Sequence, residues 1–273
     1  YAEHEQDGRF KLKLYCVDPS KNLQERINKG NATIFFSATL LPVGYYKSLL
    51  STETDNYAVY AKTAFREEQK LLLLGNDVSS KYTRRSAGEF ERIASYVKTT
   101  DAKKGNYMVF FPSYKMMEQV CDVFLEKCQS DPSCETETLI QQPGMKEEER
   151  ESFLQAFSEE LSGERKGSLA AFCVMGGIFG EGIDLKNEQL IGAIVVGTGL
   201  PQISNEREIL MGYFEKRLGA GFDYAYRYPG MNKVLQAAGR VIRTVEDVGV
   251  IELLDERFLQ SEYRALFPRE WER

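Results

Sequence analysis

The residues best placed to do chemistry in this 273-residue chain lie in one short segment, Gln236-Ala237-Ala238-Gly239-Arg240-Val241-Ile242-Arg243. On a helix turning about 100° per residue, Gln236, Arg240 and Arg243 share one narrow sector. Val234, Ala238, Val241 and Ile242 take the opposite side and can anchor the helix on a sheet. Gly239 leaves room beside the polar row. Two arginines and an amide aligned this way can clamp a phosphate through several charge-assisted hydrogen bonds. An arginine set against a transferring phosphoryl group raises the rate by roughly 10³–10⁵. The same spacing also describes a solvated amphipathic face with surface arginines.

Three further segments carry chemistry-bearing residues. Gly176-Gly177-Ile178-Phe179-Gly180-Glu181-Gly182-Ile183-Asp184 holds four glycines in seven residues, which lets backbone approach a ligand closely. Glu181 and Asp184 set carboxylates beside it, suited to ribose, water or metal-linked contacts, while a tight turn with a capping Asp is the plainer reading. Val109-Phe110-Phe111-Pro112-Ser113-Tyr114 is an apolar strand running into a helix. Ser113 can cap that helix, and the free N–H groups there can hold a phosphate; Tyr114 can stack or simply pack. Ser37-Ala38-Thr39-Leu40 is a small hydroxyl-rich turn that can relay movement from a nucleotide, or is an ordinary strand-end turn.

Positioning these segments requires an alternation of strands and helices. β-rich apolar runs at 10–17, 32–36, 106–111, 138–140, 168–174, 190–196 and 248–253 read as strands. Helical periodicity marks 20–28, 43–50, 88–98, 113–127, 147–161, 205–218 and 232–243. Tyr57–Arg85 is less regular and reads as a lead-in packed beside the core. The pattern predicts an α/β, RecA-like three-layer domain with a mainly parallel sheet and right-handed crossovers. The four segments then fall at strand ends, where ligands bind in open α/β sheets.

Composition narrows the function class. A content of 42% hydrophobic and 28% charged residues is that of a globular protein. Forty-one acidic against 35 basic residues, a net charge of −6, argue against a surface coated in basic charge; a local basic groove needs only a few Lys and Arg. No run approaches the roughly 18–20 apolar residues of a membrane span, and the opening YAEHEQDGRFK lacks the apolar core of a signal peptide. An intracellular protein with no membrane partner is expected. The missing initiator Met suggests a piece of a longer polypeptide. Five cysteines without CxxC spacing and a single histidine, His4, read as free thiols and no metal site.

No glycine in the chain is followed by lysine, so the phosphate loop GxxxxGK[ST] is absent. No acidic DExH-type motif precedes Ser37, and Asp255-Glu256-Arg257-Phe258 comes too late in the order and reads as a strand-end turn. The chain thus carries arginines that could complete an ATP site without the elements that would hold ATP.

In this order, SATL, VFFPSY, GGIFGEGID and QAAGRVIR resemble motifs III to VI of superfamily 2 DNA helicases of the XPD and DinG group. Ser79-Ser80-Lys81-Tyr82 with Arg85, Gly199-Leu200-Pro201, Asp247-x-Gly249, Asp255-x-Arg257-Phe258, Pro268 and Trp271 extend the likeness across residues 14 to 271. The resemblance implies a second motor domain at 37–273, with 1–36 as lead-in strands and the end of a preceding lobe. Gln236, Arg240 and Arg243 would meet the γ-phosphate. Glu181, Gly182 and Asp184 would couple nucleotide state to DNA, and Ser37 and Thr39 would transmit closure. Ser113, Tyr114, Lys81 and Arg85 would contact single-stranded DNA. ATP and Mg²⁺ would be held mainly by the first motor domain of the same polypeptide, where the family also carries its iron–sulfur cluster, so that this piece alone is expected to be inactive. A catalytically inert RecA-like interaction module and an RNA motor are the competing readings; the arginine row and the XPD-like spelling disfavour them.

Overall fold

Four residue runs bury both faces and therefore settle in the middle of a sheet, as strands of parallel sheets do. In chain order the strands are β1 (Ala2–His4), β2 (Phe10–Leu12), β3 (Lys70–Gly75), β4 (Asn106–Phe111), β5 (Glu137–Ile140), β6 (Leu169–Val174), β7 (Gly192–Val196) and β8 (Gly249–Leu254). The helices are α1 (Ser20–Ile27), α2 (Val43–Leu50), α3 (Ala87–Thr100), α4 (Tyr114–Gln129), α5 (Glu147–Gln155), α6 (Asn205–Leu218), α7 (Tyr228–Ala238) and α8 (Ser261–Arg264). This computed structural model describes residues 1–4, 8–100, 103–158, 167–180, 185 and 187–271.

The described chain divides into two compact units, residues 1–60 with 202–228 and residues 61–201 with 229–273. The second unit holds a six-stranded sheet in the order β3-β8-β7-β4-β6-β5, every pairing parallel. Helices α3 and α4 cover one face. Ile93, Ala94 and Val97 of α3 and Met117, Val120 and Phe124 of α4 join Val109, Phe111, Phe172 and Ile194 in one buried cluster. Phe172 stacks on Phe111 at 5.8 Å and tilts against Phe124 at 5.4 Å. Fully burying each such side chain contributes roughly 1.5–3 kcal/mol. This is the parallel α/β architecture that the alternation predicts.

The first unit is built on an antiparallel β1/β2 ribbon and on α1, α2 and α6. Ser204 caps α6 by accepting from the Arg207 N–H, and Gly219 closes it in the left-handed conformation (φ +64°), a position that strains any residue with a Cβ. A π-helical turn follows at Asp223–Arg227. Its Tyr224 stacks on Phe214 at 4.2 Å and hydrogen-bonds Ser48 at 2.7 Å.

Several expectations need correction. Residues 32–36 form no strand, and Ile34, Phe35 and Phe36 are exposed; no described strand pairs with them, and an unpaired strand leaves its backbone groups unsatisfied. The 10–17 run keeps strand structure only at Phe10–Leu12. Conversely, Lys70–Gly75, within the stretch read as an irregular lead-in, is the edge strand β3, registered on β8 from Lys70↔Gly249 to Gly75↔Leu254. Its leucines favour helix more than strand on their own; pairing with β8 decides the outcome. Cys128 and Cys134, read as free thiols, are joined in a disulfide, because the turn after α4 brings their Cα atoms to 5.2 Å, inside the bridging range.

Candidate functional site

All six strands of the second unit run parallel, so the segments leaving β3 to β8 emerge at one edge of the sheet. The glycine-rich loop follows β6. Gly177 N–H donates to the Val174 carbonyl (3.1 Å) and Gly180 N–H to the Gly177 carbonyl (2.9 Å), folding the loop back on itself. Gly176 has φ +69°, a conformation that favours glycine; a Cβ there would lie 3.1 Å from Cε of the flexible Lys233 side chain. Phe179 is fully buried and stacks on Phe153 at 4.2 Å, pinning the loop from below. Glu181, Gly182 and Asp184 lie outside the described residues.

The arginine segment meets this loop. Arg240 Nη2 donates to the Gly180 carbonyl at 2.6 Å. The expected helix 232–243 is shorter, however: α7 ends at Ala238. Gly239 N–H still reaches the Leu235 carbonyl (2.9 Å), but Arg240 and Val241 bond only three residues back, at 3.3 Å each. Gly239, a poor helix former, sits where the helix tightens and stops. Gln236 alone of the three lies on the helix, half-buried. Arg243 is placed instead by Asp247, whose buried carboxylate accepts from the N–H groups of Arg243 (2.7 Å) and Thr244 (2.6 Å). Gln69, also buried, donates to the carbonyls of Val245 (2.9 Å) and Asp247 (2.7 Å) and fixes the same turn.

Ser113 caps α4, accepting from the Met116 N–H at 3.4 Å. Tyr114 packs half-buried against the core, and its hydroxyl accepts from Gln141 Nε2 at 3.0 Å. Gln141 is itself buried and accepts from the Val174 N–H at 2.9 Å. It thereby ties the start of α4 to the end of β6. The sequence reading missed Gln141, whose one visible signal is an amide directly after an apolar strand. Leaving such a buried amide unsatisfied costs about 1–3 kcal/mol.

The loop after β3 is anchored through β8. Asp255, fully buried, accepts from the N–H and hydroxyl of Ser80 and from Arg257 Nε and Nη2, each at 2.8 Å. Burial pushes its carboxyl up, but Arg257 and the Ser80 N–H outweigh this and hold it below the usual range. Asp255 also caps the turn Glu256–Leu259, the strand-end role read from the sequence. Lys81 pairs with Glu256 at 2.9 Å, as Arg84 does at 3.2 Å, and the Lys81 ammonium holds the Glu256 carboxyl below its ordinary value. Arg85 Nε donates to the Ser80 carbonyl (3.4 Å), and its guanidinium stands 5.6 Å from the Tyr82 ring centre.

Ser37 and Thr39 belong to the first unit, Ser37 exposed and Thr39 half-buried. Thr39 N–H donates to Ser37 Oγ at 3.2 Å, a hydroxyl-supported turn. The structure thus brings Arg240 onto the glycine-rich loop and Tyr114 onto Gln141. No helix is long and apolar enough to cross a membrane among the described residues. Among them, no group of three or more His, Cys, Asp or Glu converges to hold a metal or cluster.

The helicase C-terminal domain family matches residues 96–273. The ATP-dependent DNA helicase XPD of Sulfolobus acidocaldarius is 29% identical over 82% of this chain and 39% of its own length. The ATP-dependent DNA helicase CHL1 of Candida albicans is 24% identical over 93% of this chain and 32% of its own length. The human regulator of telomere elongation helicase 1 is 25% identical over 94% and 22%. The chain therefore spans well under half the length of these curated relatives. A solved apo XPD structure superposes with a TM-score of 0.58 at 20% identity, over 89% of this chain and 44% of that one; S. tokodaii Xpd4 gives 0.54 at 19%, over 80% and 40%. These two establish a shared fold. The chain belongs to the helicase C-terminal domain family, as the C-terminal domain of an XPD-like helicase.

Proposed function

We propose that the chain is the second motor domain of an ATP-dependent DNA helicase and supplies arginine fingers to an ATP held, with Mg²⁺, by the first motor domain of the same polypeptide. The observation that carries this reading is the 2.6 Å hydrogen bond from Arg240 to the Gly180 carbonyl, which joins the arginine segment to the glycine-rich loop at one sheet edge. An arginine leaning on that loop can swing or tighten as the loop responds to nucleotide. Arg240, Arg243 and Gln236 would neutralise charge developing on the γ-phosphate. Glu181, Gly182 and Asp184 would sense the nucleotide, and Ser37 and Thr39 would carry closure between lobes.

Residues 1–36 would belong with the preceding lobe, and the exposed Ile34, Phe35 and Phe36 suit burial there. Ser113 and Tyr114, with Lys81 and Arg85, would line the track for single-stranded DNA. Opening and closing of the lobes would step 5′ to 3′ along it, in repair or replication inside the cell. The relatives' printed activities, ATP-dependent DNA helicases, support this reading. An iron–sulfur cluster, where the parent carries one, would sit in the first lobe.

The test is DNA-stimulated ATP hydrolysis by the full-length parent and its Arg240→Ala and Arg243→Ala variants. Turnover should fall by roughly 10³-fold or more with single-stranded DNA binding nearly intact, while the isolated chain turns over no ATP. Unchanged turnover in both variants, or turnover by the isolated chain that Arg240→Ala abolishes, would overturn the two-lobe assignment.

A further inference from the structure

One face of the sheet is left bare near β3, and the register explains its chemistry. The residues Tyr107, Gly192, Val250 and Leu71 form one row across β4, β7, β8 and β3, and Val109, Ile194, Glu252 and Leu73 form the next. Side chains of paired residues point to the same face, here the face that carries α3 and α4. Helix α3 leaves the β3 side chains on this face uncovered. Leu71 is 57% exposed and Leu73 is 38% exposed. Between α3 and these strands lies a slot of about 820 Å³, walled by Ser95, Tyr96 and Thr99 and floored by Leu71, Leu73 and Val250.

At the inner end of this floor sits a carboxylate. Glu252 is only 3% exposed and lines the slot. Thr100 Oγ1 donates to its Oε2 at 2.7 Å, and among the described residues no Lys or Arg pairs with it. Asp77, Glu91, Arg92 and Lys103 stand around the slot. Asp77 accepts from the Tyr96 hydroxyl at 2.6 Å, Lys127 pairs with Glu91 at 3.3 Å, and Arg92 pairs with Glu89. A buried carboxylate without a cation is costly, and a cation on an apolar stem would relieve both that and the exposed leucines.

The slot opens along β3, which is the sheet edge: no described strand pairs with its outer side. Small-molecule sites enclose their ligands, whereas an open slot beside a bare edge strand suits an extended peptide adding as a further strand. An added strand would lie about 10 Å from β8, a span that a long basic side chain meeting Glu252 covers. We propose that this slot receives an extended segment of a partner protein, which pairs with β3 and sets one arginine or lysine onto Glu252, with aliphatic residues two positions to either side. The proposal does not depend on the motor reading.

The probe is an acetylated, amidated peptide, Thr-Leu-Thr-Arg-Thr-Leu-Thr, compared with its citrulline counterpart and with butylguanidinium, by titration calorimetry on the full chain. The arginine peptide should bind at least tenfold tighter than the citrulline peptide, and Glu252→Gln should erase the difference while the chain stays folded. Leu73→Asp, checked for fold by circular dichroism, should weaken both peptides. Equal affinities in the wild type, or no binding of the arginine peptide, would overturn the proposal. Binding of butylguanidinium as tight as the peptide would assign the slot to a small organic cation and overturn the polypeptide partner.

Discussion

Two carboxylates close together on β8 and its exit turn, both almost wholly removed from solvent, titrate in opposite directions. Asp255 ends the strand in a ring of donors, Ser80 and Arg257, and is held below the usual carboxylate range although burial alone pushes it up. Glu252, three residues earlier, has among the described residues one hydroxyl for a partner, and burial pushes it up to about 7. Depth is therefore not what separates them. The number and charge of the donors decides which acid stays ionised. One closes a structural joint at the sheet edge that carries the motif loops; the other is left wanting a cation.

The largest effect should come from breaking the satisfied acid. Asp255→Ala leaves the largely buried Arg257 guanidinium without its counter-charge and frees the loop that carries Lys81. Removing one partner of a buried pair costs about 3–5 kcal/mol, to be read from urea unfolding at pH 7. Because the folded-state pKa of Asp255 is lowered, its contribution is full above its unfolded pKa and fades as pH falls through the folded value. Asp255→Ala should therefore narrow its gap to wild type on acidification. A loss under about 1 kcal/mol would show that Ser80 and Arg257 find other partners.

The unsatisfied acid should respond in the opposite sense. The rise of Glu252 from its ordinary 4.5 to about 7 corresponds, at about 1.4 kcal/mol per pH unit, to at most about 3.5 kcal/mol. With the folded pKa raised, stability is full below pH 4.5 and lost as pH rises through about 7. Glu252→Gln keeps the Thr100 hydrogen bond and removes the charge. Thermal unfolding should show the variant gaining stability at pH 8 and matching wild type near pH 4. A variant that tracks wild type across that range would mean water already reaches the carboxylate.

The contrast also marks what the chain's letters reveal. The apolar runs of β4, β6 and β7 are legible because strands buried on both faces leave no polar alternation. Ser113 as a cap and α6 at Asn205–Leu218 are written in local signals. The motif order points to the sheet edge where Arg240 and the glycine-rich loop meet. Other features depend on neighbours distant in sequence. Leu71 to Leu74 become strand only through pairing with β8, and 32–36 has no pairing partner among the described residues. Arg243 is set by Asp247 and Gln69 across the unit, so a helical wheel through Gln236 places it wrongly. Glu252 is a lone acid inside a run read as an apolar strand, and the slot beside it depends on how α3 packs against β3 and β8.

The smallest stability effect is expected at the half-buried third acid of this stretch, Glu256. Its pair with Lys81 at 2.9 Å is solvent-screened, and such pairs contribute about 0–1 kcal/mol, so Glu256→Gln should leave unfolding almost unchanged. Its effect on nucleic acid should be clearer. Glu256 holds Lys81, so on the proposed DNA track a phosphate would have to compete with it. In the full-length parent, Glu256→Gln should tighten single-stranded DNA binding, and Lys81→Ala should flatten the slope of log affinity against log salt by about 0.7. If Glu256→Gln tightens binding equally in the Lys81→Ala background, the gain comes from lost negative charge in general, and Lys81 has no place on the DNA track.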